Sequence, residues 1–403
     1  MKFIDKHAFD RLCLLSGIIA LFAYLHLWPC AYLSTHLPQR MFFRMEVLSR
    51  MADGTGDLGD VFQDVIGFRG LCERREAYPN LNDALRKIGI QTSEMPFAST
   101  HPPTAFLFAA PIAYLPLLRA AQVWFFLCLS LIVLSLLCYG IRWMPAVGFA
   151  LWAGVLWEPF NGSFHQLTPI WLAGVAMAYR YRFHRTLWSG IGIGIASLTK
   201  LLPVLIAAYF LFARKYRAAI GIVIAWTCAV AVVLCLSPAA FSQYVSMARQ
   251  GNTWGQFTRV DNIFPFAQAY FRFGVGGLAL VAGYIGLLIW RNRVPLFRPM
   301  VSPDFSFFLY SFLAVMFLPL CWNYALMPLF PVLGYFMLRG RIIHRLIATI
   351  VIAGLVILPP SSRPGTTTLL LLLTSSMFFL EPPVEHQITR DSDQLSPLNS
   401  GEE

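Results

Sequence analysis

The chain has 403 residues, of which 57% are hydrophobic and only 13% are charged, and its formal net charge is +11. Soluble domains carry about 25% charged residues, so this composition excludes an ordinary soluble domain and predicts an all-α polytopic membrane protein. The basic residues fall in short clusters between apolar segments, at 180–185, 214–217, 291–298 and 339–345. Such clusters are typical of cytoplasmic loops, so the positive charge predicts a lipid bilayer around the chain and argues against a nucleic-acid partner.

The first predicted element is a transmembrane helix. Lys2, Lys6 and Arg11 precede an apolar run at 12–33. This run is longer than the hydrophobic part of a signal peptide, and no small-residue cleavage site follows it. We therefore predict a retained first helix with a cytoplasmic N-terminus, in a multi-pass protein of the plasma (inner) membrane.

The loop that follows, at about 34–101, is predicted to be extracytoplasmic, and it holds much of the acid in the chain. Nine of the 20 acidic residues lie between positions 38 and 101, whereas the stretch 102–380 has only three, Glu158, Asp261 and Asp304. Because intramembrane charge is costly, carboxylate chemistry must come from this short set. After Asp60, apolar residues recur at helical spacing, namely Val61, Val65, Ile66, Phe68 and Leu71. We predict an amphipathic helix there, lying on the membrane surface.

Twelve further apolar segments follow, at 102–117, 121–140, 145–160, 166–181, 187–199, 201–213, 218–236, 275–290, 304–320, 324–338, 345–359 and 367–381. Several are shorter than the roughly 20 residues that a straight span needs. Short segments of this kind predict broken helices that line a cavity buried in the protein.

The alternation of inside and outside loops has one conflict. His101 is predicted outside and Arg142 inside, yet two apolar segments lie between them. If both segments crossed the membrane, the chain would return to the outside before Arg142. We favour a short, tilted or re-entrant 102–117; the alternatives are an incomplete span at 121–140 or an outside Arg142. The total is then about twelve transmembrane segments in one domain, 1–381, followed by a polar, cytoplasmic tail at 382–403 that is predicted to be disordered.

The loops predicted to lie outside collect the unusual polar residues of the chain. Besides the acids of the first loop, these are His101, Asn161, His165, Gln166, Lys200, Arg259, Asp261, Asn262, Trp322 and Asn323. Any one of them could have only a structural role at a helix end. Their accumulation on one side predicts a single extracytoplasmic site.

Two of these residues have specific local settings. Lys200 lies between the segments 187–199 and 201–213, at the tip of a hairpin whose other ends carry basic clusters. Its ammonium group could extend to the lipid headgroups or bind the phosphate of a lipid-linked substrate, and both interpretations stay open. His101 precedes two prolines, which impose an extended chain, and suits a phosphate hydrogen bond or an acid–base role. No set of residues has metal-ligand spacing, so we predict neither a metal nor a cofactor.

Six motifs then follow one another in an order that resembles glycosyltransferase family 87, the polytopic GT-C-type transferases that include polyprenyl-phosphate-mannose-dependent mannosyltransferases. The motifs are GDVFQDVIGFRG, STHPPTAFLFAAPIAYLP, NGSFHQLTPIWLAGVAMAYR, GIGIGIASLTKLLP, DNIFPFAQAYFR and FLPLCWNYALMPLFP. The resemblance covers approximately Asp60 to Leu338. It implies a GT-C-like fold with a large first extracytoplasmic loop that carries amphipathic helices.

The resemblance also implies site residues. The family's catalytic acid corresponds to Asp60, while Asp64 stands where the family more often has an aromatic residue. Gln166 matches a family glutamine, but the asparagine that usually follows in that motif is missing. Many members have Trp-x-His where this chain has Trp322, Asn323 and a tyrosine.

The function implied is that of an inverting hexosyltransferase of the cell envelope. It would move a sugar, mannose in the first place, from a polyprenyl monophosphate to a lipid or glycan acceptor, with Asp60 or Asp64 as general base. Lys200, His101 and Arg259 would compensate the charge of the departing phosphate. The rival classes are a transporter or flippase of a lipid-linked substrate and a membrane scaffold. A transporter would be expected to show internal repeats and acids within the membrane, and neither is evident in the sequence.

Overall fold

The computed structural model describes residues 6–31, 61–79, 101–156, 166–249, 265–291, 303–316, 326–357 and 364–380. Within these ranges every regular element is helical, with fourteen α-helices and two 3-10 helices. The predicted all-α class is confirmed for this part of the chain.

Most of the α-helices overlap predicted apolar segments, although several have different bounds. The first seven are α1 (Lys6–Ala31), α2 (Val61–Cys72), α3 (Leu117–Cys138), α4 (Trp143–Leu156), α5 (Thr168–Tyr181), α6 (Thr186–Thr199) and α7 (Ala207–Phe212). The other seven are α8 (Tyr216–Leu236), α9 (Ala240–Arg249), α10 (Pro265–Arg291), α11 (Pro303–Met316), α12 (Leu329–Arg339), α13 (Ile342–Ile357) and α14 (Pro364–Ser376). The 3-10 helices are Ala105–Ala109 and Leu202–Ile206.

Among the described helices, α8 is long and apolar enough to cross a membrane by itself, with a mean hydropathy of 2.7 over its most apolar stretch. Many of the others are apolar but short, including α6, α11 and α12. Short helices are expected where a span is broken. The number of about twelve spans therefore stays a prediction, as does the tail at 382–403, which lies outside the described residues.

The segment 102–117 contains no full helical span. It forms the 3-10 helix Ala105–Ala109 followed by turns, and α3 begins only at Leu117. The two prolines at its start disfavour α-helix in the residue before each of them. This agrees with the short, tilted or re-entrant segment that we predicted from the alternation of inside and outside loops.

Three helices in the middle of the chain pack against one another through small residues. A side chain at Gly174 of α5 would overlap the backbone of Gly192 in α6, and one at Gly190 would overlap the carbonyl of Ala218 in α8. Glycines allow the backbones to approach closely, which is the usual basis of helix association in membranes. The glycines in the middle of α6 thus pack this helix closely against its neighbours, and Lys200 follows directly at its end.

A buried ionic cluster joins α5, α11 and α12 at the opposite end of α5 from Gln166. Arg182 makes an ion pair with Asp304, whose Oδ2 also accepts hydrogen bonds from Tyr179 (3.1 Å) and Arg339 (3.4 Å). Lys215 donates to the backbone carbonyl of Arg182 at 2.5 Å. A buried carboxylate needs such partners, and here the two arginines come from two of the predicted cytoplasmic loops, while Lys215 connects a third loop to Arg182.

A second ion pair extends this end of the molecule. Asp10 of α1 contacts Arg142, which immediately precedes α4. Tyr139, three residues earlier, lies with its ring centroid 5.1 Å from that of Tyr179. The loops that the basic clusters assign to one side of the membrane therefore do lie together, and Arg142 lies at the same end as the start of α1.

The surroundings of α2 differ from the prediction. The helix forms where the apolar spacing indicates, but eight of its twelve residues are buried, including Asp64 and two glycines. Gly67 lies against the ring of Phe106, and Gly70 lies against the backbone of residues 76 and 77. Because these contacts cover α2 with protein, it does not lie with an apolar face on lipid.

Candidate active site

The centre of the candidate site is a contact between Asp64 and His101. Asp64 lies on the first turns of α2, and His101 immediately precedes Pro102 and the turn that leads into the 3-10 helix Ala105–Ala109. The Nδ1 atom of His101 is 2.8 Å from Oδ1 of Asp64, and the two side chains are 10% and 0% exposed. The contact brings together two of the residues predicted for the site.

The backbone of His101 is fixed by a tyrosine beyond the end of α2. The Tyr78 hydroxyl donates a hydrogen bond of 2.9 Å to the His101 carbonyl oxygen. The Tyr78 ring packs against Phe106 and Tyr244, with ring centroids 5.2 Å and 5.6 Å away. The side-chain oxygen of Gln243, also on α9, accepts the backbone N–H of Ala77 at 2.9 Å. The backbone of His101 is thus fixed by Tyr78, which α9 supports, and its side chain is fixed by Asp64 of α2.

Lys200 reaches the same region from α6. It is the residue at which the helix ends, with an extended backbone (φ −148°, ψ 128°) before the 3-10 helix Leu202–Ile206. Thr104, three residues after His101, donates a hydrogen bond of 3.3 Å to the carbonyl oxygen of Leu198. This contact fixes the end of α6 against the histidine segment. The half-buried Lys200 lies near enough to Asp64 for its charge to lower the pKa of that carboxyl group.

Opposing influences act on the Asp64 carboxyl group. Complete burial raises its pKa, because the charged form loses its hydration. The charge of His101, its hydrogen bond to Asp64 and the charge of Lys200 all lower this pKa. They offset the effect of burial only in part, so the pKa stays above its ordinary value. Within the described residues, Oδ2 of Asp64 has no hydrogen-bond partner. The site therefore contains a carboxyl group that binds a proton more readily than a surface aspartate does.

Gln166 lies at the start of α5, on the side of α2. The next residue, Leu167, belongs to one apolar cluster with Val61 of α2 and Trp124 of α3. Gln166 is 3% exposed, and no described residue bonds its side-chain oxygen. The same holds for the hydroxyl of Thr168, which is 1% exposed. Buried polar atoms normally have partners, so a polar ligand is one way of satisfying them.

Five predicted site residues lie outside the described part of the chain, namely Asp60, Arg259, Asn262, Trp322 and Asn323. In the sequence, Asp60 immediately precedes α2 and stands four positions before Asp64. Among the residues that the structure describes, no group of three or more His, Cys, Asp or Glu side chains could hold a metal ion.

Two supporting residues were not predicted from the sequence. Tyr78 and Thr104 contact the site through single hydrogen bonds to backbone carbonyl groups. Thr104 could have been suggested by its place just after the two prolines. Nothing in the sequence around Tyr78 connects it with His101, because the contact depends on how the chain turns after α2.

The chain also matches a known family. The model of glycosyltransferase family 87 matches residues 100–321, more than half of the chain, and this range contains His101, Gln166 and Lys200. Neither a curated protein nor a solved structure matches the chain. The family predicted from the six motifs is thereby confirmed, and with it the class of enzyme: the chain belongs to glycosyltransferase family 87.

Proposed function

We propose that this glycosyltransferase moves a sugar from a polyprenyl monophosphate to a lipid or glycan acceptor, and that mannose is the first candidate for this sugar. The reaction takes place at the extracytoplasmic face of the plasma membrane. It proceeds with inversion at the anomeric carbon, and an aspartate acts as general base. The polyprenyl chain stays in the bilayer, and the enzyme uses neither a metal ion nor another cofactor.

The convergence of Asp64, His101 and Lys200 is the observation that carries this proposal. These residues come from the acid loop, the His-Pro-Pro segment and the end of α6, which are three of the motifs that resemble the family. They lie at the end of the helices away from the ionic cluster around Asp304. An acid, an imidazole and an ammonium group in one place suit a reaction that removes a proton and releases a phosphate.

The residues divide the chemical step as follows. Asp60 accepts the proton of the acceptor hydroxyl while the oxygen of that hydroxyl forms a bond to the anomeric carbon. The bond from the anomeric carbon to the phosphate oxygen breaks, and its electron pair leaves with the polyprenyl phosphate. Lys200, together with His101 and Arg259, stabilises the negative charge that grows on this leaving group.

The remaining predicted residues bind the sugars. The amide groups of Gln166, Asn262 and Asn323 provide donors and acceptors for sugar hydroxyls, and Trp322 provides an aromatic face and an N–H donor. The buried side-chain oxygen of Gln166 is compatible with this role.

The direct test is a transfer assay with purified protein and radiolabelled polyprenyl-phosphate mannose, with a membrane lipid extract as the source of acceptors. We expect label to move from the donor to a new product, and polyprenyl phosphate to be released. A nucleotide-activated mannose is the matched control donor, and it should not be used. Transfer from the nucleotide sugar alone would contradict the proposed donor. Passage of intact donor across liposomes without transfer would identify a transporter or flippase instead.

A further inference from the structure

The charges around Asp64 and His101 suggest that proton binding accompanies substrate binding. Lys200 brings one positive charge, and an ionised Asp64 beside a neutral His101 brings one negative charge. In that state the three described groups together, Lys200, Asp64 and His101, offer no net positive charge to an anion. One added proton, on either member of the contacting pair, leaves the cluster with one positive charge.

We infer that the Asp64–His101 pair takes up one proton when the phosphate group of the donor binds beside Lys200. The inference rests on the proposed function, because it assumes a donor that carries a phosphate. It goes beyond that function by coupling donor binding to the pH of the extracytoplasmic space. Asp64 then has a positioning role, distinct from that of Asp60: it holds the imidazole through Nδ1 and shares its proton.

The contact geometry supports a single shared proton. His101 Nδ1 and Asp64 Oδ1 are 2.8 Å apart, which is hydrogen-bond distance whichever atom carries the proton. The two groups titrate as a coupled pair, so the proton belongs to the pair and not to one residue. Burial of Asp64 favours the protonated pair, because it removes a charge from a site with little hydration.

The described groups around this pair include one cation and two tyrosines. Lys200 acts on Asp64 by charge, and Tyr78, whose pKa is raised by burial, stays neutral at physiological pH. Tyr244 packs on the far side of Tyr78 and is also neutral in this range, since burial raises its pKa. On α2 itself, Arg69 donates to the carbonyl of Ala113 at 2.5 Å and does not contact the pair.

The sign of the coupling follows from the charges. The phosphate favours the protonated pair, so donor affinity is greatest below the pKa of the pair in the free protein. Affinity falls as the pH rises through that pKa, and the fall approaches about tenfold per pH unit for one proton.

The test is equilibrium binding of farnesyl-phosphoryl-mannose, a short-chain donor, to the purified full chain between about pH 6 and pH 9. A phosphodiester keeps a constant charge in this range, so any pH dependence belongs to the protein. Calorimetry in two buffers of different ionisation enthalpy gives the number of protons taken up. For the wild-type protein we expect one proton at the upper end of the range, and an affinity that falls at least tenfold towards alkaline pH.

Three variants give different expected curves. Asp64→Asn removes the opposing negative charge, so it should bind the donor at least tenfold more tightly than wild type near pH 9, with little pH dependence above about pH 7.5, where an imidazole without a carboxylate partner is neutral. His101→Gln should bind weakly, with little pH dependence over most of the range. Lys200→Gln should bind more weakly than wild type at every pH but keep the slope. Glu73→Gln, which removes an exposed acid of the same loop, should behave as wild type.

The gain in affinity at high pH separates this role from a merely structural one, because a disturbed fold would only weaken binding. Thermal unfolding establishes that each variant is folded, and if Asp64→Asn is not, the His101→Gln and Lys200→Gln curves decide. Donor binding by wild type without pH dependence, or an Asp64→Asn curve equal to wild type, would overturn the inference alone. Absence of donor binding at every pH would overturn the proposed donor as well.

Discussion

Asp60 and Asp64 are four residues apart in the sequence, and the contacts of Asp64 give a reason to assign the two residues different tasks. Asp64 is completely buried, and one of its oxygens already contacts His101. A carboxyl group so engaged is suited to holding its neighbour. Asp60 immediately precedes the first residue of α2, and it is the residue that we propose as the general base.

Asp60→Asn should therefore abolish sugar transfer, because the amide cannot accept the acceptor's proton; we expect a loss of roughly 10²–10⁴-fold in turnover. Asp64→Asn should keep measurable transfer with an altered pH profile. Both are measured in the radiolabelled donor assay, with membrane insertion checked separately. Near-normal turnover in Asp60→Asn together with an inactive Asp64→Asn would move the base to Asp64.

The sequence predicts several of these residues but not their contacts. His101 is evident from the two prolines that follow it, and Lys200 from its place between two apolar segments, because both signals are local. The contact of Asp64 with His101 joins positions 37 residues apart, and no local spacing encodes it. Tyr78 was missed for the same reason.

Helices are predicted better than their surroundings. The apolar segment at 218–236 corresponds to α8, and the break at Lys200 appears where two short segments meet. The prediction that α2 lies on the membrane surface was wrong. Apolar spacing indicates which face of a helix is apolar, but it does not indicate whether lipid or protein covers that face. Gly67, which brings α2 close to Phe106, is the sign that protein covers this helix.

The close packing of α6 gives a prediction about stability. A methyl group at Gly190 would overlap the backbone of Ala218, which cannot rotate away as a side chain could. Gly190→Ala should therefore destabilise the protein by about 1–3 kcal/mol, the usual range for overpacking, and lower its melting temperature in detergent. Gly283→Ala in α10 is the matched control, since nothing lies within 4 Å of the added atom. An unchanged melting temperature for Gly190→Ala would contradict the packing described.

The ionic cluster gives a second prediction of this kind. Asp304→Asn leaves the buried Arg182 without its counter-charge, so we expect a loss of about 3–5 kcal/mol in the free energy of unfolding. Arg339→Gln is the comparison, because Arg339 is 45% exposed and lies 3.4 Å from Asp304. Its effect should stay below about 1 kcal/mol. Thermal unfolding of both variants measures the difference, and equal effects would mean that Arg182 is not the principal partner.

The buried ion pairs that the structure describes lie at two ends of the molecule. One end holds the ion pairs of Asp10 with Arg142 and of Arg182 with Asp304, and the other holds Asp64 and His101. The sequence could indicate this separation because basic clusters alternate along the chain. It could not give the number of spans, because helix length alone does not decide whether a short helix crosses the bilayer.

Labelling of intact cells tests which end faces the cytoplasm. In a background without the native cysteines, which would otherwise react, Ser99→Cys should react with an impermeant maleimide. Ser396→Cys should react only after lysis, because the tail is predicted to be cytoplasmic. The opposite result would reverse the orientation and remove the basis for a lipid-phosphate donor.

The ion pair between α1 and α4 has a consequence for how the protein is made. Gly17 of α1 lies against Gly148 of α4, and Asp10 contacts Arg142, so the two helices run parallel as direct neighbours. During synthesis α1 leaves the ribosome well before α4, because the first loop, α2 and α3 are made in between. Until α4 has been made, Asp10 has no Arg142 beside it and Gly17 has no Gly148 to pack against. The docking of α1 must therefore wait for α4, and a pause in translation before α4 would lengthen that wait.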